Sequence, residues 1–110
     1  MQEGRRLPVA HCIRGTKGWE HAAGLDARGA RLFEKGTFGS VELAEYARAF
    51  DEVLLCGVCT DICVVSNALL VKAFSPEARV MVAGRACAGV TPAAHAAALR
   101  TMESCQVEIV

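Results

Sequence analysis

Three cysteines crowd into the run Cys56-Gly57-Val58-Cys59-Thr60-Asp61-Ile62-Cys63. A thiol ionises near pH 8.5, so a modest local stabilisation of its anion makes it a nucleophile at neutral pH. Cys63 is the best placed of the three. The preceding stretch 52–57 (EVLLCG) reads as a buried strand closed by glycine, and 61–74 (DICVVSNALLVKAF) as a helix, which sets Cys63 in the helix's first turn. Backbone amides without intrahelical partners and the helix dipole favour negative charge there. The same position equally suits a buried thiol that packs helix against sheet. Cys56 and Cys59 offer a different chemistry, since a C-x-x-C between a strand and a helix is how a thiol–disulfide redox pair is placed. That reading is weakened by Cys56, which falls inside the strand, before its closing glycine. A metal cluster on Cys56, Cys59 and Cys63 is weaker still, because no second Cys/His pair with zinc spacing follows.

Other reactive side chains have plainer readings when taken alone. Lys35 reads as an exposed lysine and His11 as a hydrogen-bonded structural histidine. His95 falls in an alanine-rich helical stretch as a packing or surface residue, His21 falls in a polar stretch with nothing to recruit it, and Trp19 suits either packing under the glycine turn or lining a pocket. Six cysteines in 110 residues also invite a disulfide framework. Cys12, Cys56, Cys87 and Cys105 lie in or beside apolar stretches, however, where cysteine packs as a small hydrophobe. Reduced thiols in a reducing compartment are therefore expected.

The elements that must position Cys63 follow from pattern. After the first strand and helix, residues 78–83 (ARVMVA) form a second strand, and 91–104 a second helix with Thr91 as N-cap and Pro92 at the first helical position. Residues 106–110 (QVEIV) close the chain as a third strand. This order gives two right-handed crossover units and a parallel sheet with flanking helices, an α/β fold. Thr60 or Asp61 is available to cap the helix that carries Cys63. Upstream the pattern is less regular: 7–13 reads as a short strand or an extended segment, 14–18 (RGTKG) as a glycine turn, 30–35 (ARLFEK) as a short strand, and Ser40 as the cap of a helix running to Phe50.

Composition narrows the function. Hydrophobic residues make up 53% and charged residues 22%, enough for a core and too apolar for disorder along the whole chain. Twelve Lys+Arg balance twelve Asp+Glu, so no global field draws nucleic acid or an acidic membrane. Residues 1–35 hold seven basic and four acidic side chains and residues 36–110 five and eight, a mild split that reads as solvated surface. No apolar run nears the roughly 18 residues needed to span a bilayer, and the N-terminus lacks a signal peptide's apolar stretch. A soluble, cytoplasmic domain is the expectation.

The run Gly57-Val58-Cys59-Thr60-Asp61-Ile62-Cys63-Val64 resembles the G-V-x-T-D-x-C-V signature of the isochorismatase-like cysteine hydrolases, the superfamily of nicotinamidases and related amidases. His11-Cys12-Ile13-Arg14-Gly15-Thr16-Lys17-Gly18 is similar to their H-C-x-x-G-T-x-G segment, and Glu34-Lys35-Gly36-Thr37-Phe38-Gly39-Ser40 to the stretch that carries their catalytic lysine. Residues 86–91 (ACAGVT), with His95, Ala98, Leu99 and Met102, resemble a fourth pattern, in which Arg85 stands where aspartate is usual. The four matches occur in order along nearly the whole chain.

The resemblance implies small-amide hydrolysis, with Cys63 as nucleophile and Lys35 as the cation beside it. It also implies a cis peptide between Val58 and Cys59 and an oxyanion hole made by the backbone N–H groups of Cys59 and Cys63. In nicotinamidases proper His11 matches one ligand of a divalent metal (zinc, iron or manganese). The family's general-base aspartate, at the end of its first strand, has no counterpart: Asp26, Asp51 and Asp61 do not match its position. Residues 1–110 are thus expected to be the C-terminal portion of the family domain, without its first two strand–helix units. In the family's strand order of 3-2-1-4-5-6, the strands at 30–35 and 52–57 would be the third and fourth. The expected partners are a small amide substrate and, over an exposed strand edge, a second copy in a homo-oligomer or another chain. Two alternatives stand beside hydrolysis: a non-catalytic fragment that needs a partner chain, and a redox protein using Cys56 and Cys59.

Overall fold

The computed structural model describes residues 28–110 together with Lys17 and Gly24. The chain divides into two compact units, Met1–Phe38 and Gly39–Val110. In the described part of the first unit the Arg31 guanidinium lies over the Phe33 ring, 5.3 Å from its centroid. The strand expected at 30–35 is not formed. A strand exists through its ladder of inter-strand hydrogen bonds, and no described strand pairs with this stretch. The expected segments at 7–13 and 14–18 fall outside the described residues, apart from Lys17.

The second unit begins with helix α1 (Val41–Ala47), whose N-cap Ser40 accepts the Leu43 N–H at its Oγ, 3.1 Å away. The helix stops short of Phe50. Arg48, Ala49 and Phe50 instead donate to carbonyls three residues back, the tighter pattern that ends a helix. Strand β1 (Glu52–Val58) follows, then a single π-helical turn (Thr60–Val64) leading into α2 (Val65–Phe74). Strand β2 (Arg79–Ala88), helix α3 (Pro92–Ser104) and strand β3 (Glu108–Ile109) complete the chain.

The three strands form a parallel sheet in the order β1-β2-β3. Two right-handed crossovers that step the same way across a sheet place both helices on one face. Burial follows: Val80 and Val82 on β2 are fully buried with Ala68 and Val71 of α2 and Met102 of α3, and Val53 and Leu55 of β1 pack against that cluster. The opposite side of β1 is exposed, with Leu54 at 60% and Val58 at 66% of full accessibility. The expectation of a buried strand at 52–57 is therefore corrected to a strand buried on one side only.

Two further boundaries differ from the pattern reading. β2 continues beyond Ala83 to Ala88, because after Leu55↔Val82 the ladder resumes at Gly57↔Cys87 and Val58↔Ala88 across a bulge. β3 is shorter than 106–110. Gln106 takes a left-handed φ of 68°, Gln106 N–H donates to Glu103 O, and Val107 N–H donates to Met102 O. That is a Schellman stop, with buried Val107 packed in one core with Met102, so these two residues end α3 instead of starting the strand. At the far end of the sheet Arg79 holds Glu108 through two hydrogen bonds of 2.8 and 2.9 Å. Their donation keeps the Glu108 carboxyl below its ordinary range.

Candidate functional site

In open parallel sheets, ligands bind beyond the carboxyl ends of the strands. β1 reaches that end through Gly57, whose φ of 118° is open to glycine and strained for other residues. The Val58–Cys59 peptide is cis. The chain then enters the π turn, where the Cys59 carbonyl accepts both Ile62 N–H and Val64 N–H at 3.1 Å. Cys59 and Cys63 are half-buried on this one turn.

Side chains from several directions fix the turn. Ser66 Oγ donates to the Ile62 carbonyl at 2.6 Å and Asn67 Nδ2 to the Cys63 carbonyl at 2.9 Å. Asn67 is itself buried, and its Oδ1 accepts the Ser40 N–H at 2.7 Å, tying the start of α1 to the backbone of Cys63. The expected caps do something else. Cys59 occupies the cap position with no side-chain bond. Thr60 is fully buried with its hydroxyl 2.7 Å from His95 Nδ1, and Asp61 Oδ1 accepts the Val90 N–H at 3.0 Å. Both point away from the helix's own amides because the β2–α3 connection, carried forward by the extension of β2, lies beside them. α3 starts as expected: Thr91 Oγ1 accepts the Ala94 N–H, with Pro92 in the first turn.

The remaining candidates belong to other segments of the sequence. Lys35 belongs to the first unit, where its Nζ donates to the Thr37 carbonyl at 3.3 Å. His11, Cys12, Trp19, His21 and Asp26 fall outside the described residues. Cys56, Cys59, Cys63, Cys87 and Cys105 are thiols. Cys56 and Cys105 are exposed, which corrects the expectation that they pack as hydrophobes: Cys56 shares the open side of β1 with Leu54 and Val58, and Cys105 follows the last residue of α3. Among the described residues no three His, Cys, Asp or Glu side chains gather as metal ligands. These residues do not form a site for the divalent metal that the family resemblance implies. No helix among them is long and apolar enough to cross a membrane.

Sequence reading alone overlooked Asn67 and the part played by His95. Asn67 carried a signal, since it lies one helical turn after Cys63, within reach of its carbonyl. His95 stood in the fourth family pattern, but nothing in the sequence pointed to its partner Thr60, 35 positions away.

A cysteine-bearing turn at the carboxyl end of a parallel strand, backed by helices, defines an α/β protein, with its candidate site at the sheet's carboxyl edge. The isochorismatase domain model matches residues 1–110, and the chain belongs to that family. Solved structures agree. A nicotinamidase/pyrazinamidase from Bacillus subtilis is 27% identical with a TM-score of 0.79, covering 100% of this chain and 67% of that one. An isochorismatase family protein from Desulfovibrio vulgaris is 26% identical at a TM-score of 0.76, covering 93% and 56%. A pyrazinamidase from Pyrococcus horikoshii, solved in complex with zinc, is 29% identical at 0.70, covering 91% and 60%. The chain thus spans between 56% and 67% of the length of these proteins. Compared with curated proteins, it matches none.

Proposed function

We propose that this chain carries the nucleophile of a cysteine hydrolase that acts on a small amide of the nicotinamide or pyrazinamide kind. The observation that carries the reading is the placement of Cys63 in a helical turn at the carboxyl end of β1, within the family's signature. The attacking species is the thiolate form of Cys63. It attacks the amide carbonyl carbon, and the backbone N–H groups of Cys59 and Cys63 stabilise the oxyanion. The C–N bond then breaks, the nitrogen takes up the proton that the Cys63 thiol gave up and leaves as ammonia, and a thioester to Cys63 remains. Water adds to that thioester and releases the carboxylic acid and the thiol. Lys35 is assigned the role of the cation favouring the thiolate, on the likeness of its segment to the family's lysine segment.

Within this reading, the isolated chain turns over slowly. The step that needs help is removal of the thiol proton, and the aspartates among the described residues are otherwise placed: Asp61 accepts the Val90 N–H, and Asp51 is exposed at the opposite end of β1. The test uses the purified full chain. Iodoacetamide at pH 7 is expected to label Cys63 faster than the exposed Cys56 and Cys105, with ammonia release from nicotinamide close to background. Cys63 reacting no faster than those two removes the nucleophile assignment. Brisk ammonia release that is lost in Cys63→Ala would instead show that a base is present and overturn the prediction of slow turnover. The same labelling bears on the redox alternative, which requires Cys56 to be the reactive thiol.

A further inference from the structure

We propose that His95 is a positioning residue for Cys63, acting through Thr60, a role that rests on the nucleophile reading above. Thr60 opens the π turn and is 0% exposed, so its hydroxyl has no access to water. A buried hydroxyl left unpaired is costly, and His95 Nδ1 at 2.7 Å meets that need from the first turns of α3. The contact ties the turn that holds Cys63 to an element that joins the sheet only beyond β2.

Two independent observations show that the turn and α3 are fitted to each other at this point. Asp61, the next residue of the turn, accepts the Val90 N–H from the loop leading into α3. Between them sits Gly89, where an added Cβ would lie 2.9 Å from Asp61 Oδ1, 2.9 Å from His95 N and 2.9 Å from His95 Cβ. The loop approaches so closely that only a residue without a side chain fits. Thr60, Asp61, Gly89 and His95 thus form a clamp on the turn, of which Thr60 and Asp61 stand three and two residues before Cys63. Its consequence is positional: small displacements of a reacting group cost large factors in rate. Cys63 receives its orientation from α3 as well as from its own helix.

The experiment measures the rate of iodoacetamide labelling of Cys63 in the full chain by peptide mass spectrometry, with Cys56 and Cys105 as internal controls and thermal unfolding alongside. Thr60→Val keeps the shape and removes the hydroxyl; Thr60→Ser restores it. His95→Leu removes the ring nitrogen, and His95→Asn offers an amide in its place. Thr60→Val and His95→Leu are each expected to slow Cys63 labelling by about five- to tenfold while the controls hold steady. Thr60→Ser and His95→Asn should recover most of the rate, and the double variant should be no slower than either single one, because both remove one contact. Should Thr60→Val fail to fold, the half-buried His95 pair carries the test. The proposal is overturned if wild-type Cys63 is fast and the removal variants alter only the melting temperature, or if the conservative variants do not restore the rate. If wild-type Cys63 labels no faster than the controls, the nucleophile reading falls and takes this role with it.

Discussion

At Asn67 one buried amide serves two masters, accepting the Ser40 N–H at 2.7 Å and donating to the Cys63 carbonyl at 2.9 Å. Replacing it with alanine leaves both backbone groups to find water in a place where little reaches. Asn67→Ala is expected to cost about 1–3 kcal/mol, read as a lowered midpoint in urea with an unchanged slope. Asn67→Asp retains the acceptor for Ser40 but faces the Cys63 carbonyl with another acceptor, so it should rescue little. A full rescue by aspartate would mean that the Cys63 side of the bridge contributes nothing. Residue-level chemistry was partly legible in the sequence: Cys63, Thr60 and Asp61 stand out by type and spacing. What each polar side chain binds was not, because an N-cap and a long-range tie use the same residue types, and the choice depends on which segment arrives alongside.

Elements were legible where local signals are strong. Ser40 and Thr91 cap the helices they precede, through bonds to Leu43 N–H and Ala94 N–H. Ends set by partners were less so. β2 runs on to Ala88 because β1 offers Gly57 and Val58 as ladder partners past a bulge, and β3 loses its first residues to the stop of α3. That stop places Gln106 at a φ of 68°, where glycine is ordinarily found. Gln106→Gly is expected to raise stability by about 0.5–1 kcal/mol, the relief of left-handed strain less the added freedom of the unfolded chain. Thermal unfolding checks it, and a loss of stability would mean that the Gln106 side chain holds a contact worth more than the strain.

The second unit carries its helices on one face of the three-stranded sheet, and the other side of β1 exposes Leu54, Cys56 and Val58. Among the described residues β1 pairs with β2 alone, and the apolar side chains on its exposed side invite association with another chain. Size-exclusion at rising concentration is expected to show self-association that Leu54→Lys suppresses. The lysine costs little fold stability at a position 60% exposed. A wild-type chain that stays monomeric at high concentration would contradict this.

The sequence by itself determined the alternation of strands and helices, the parallel α/β class, and a cysteine at the start of a helix in a run of family signatures. These follow from hydrophobic period, caps and short-range spacing, which are local properties. Only the tertiary structure decided that β1 buries one side, that β2 extends to Ala88, that Asn67 joins Ser40 to Cys63, and that His95 reaches Thr60 from 35 residues away. Burial, ladder length and long-range hydrogen bonds depend on which neighbour is present in space, and no window along the chain contains both partners.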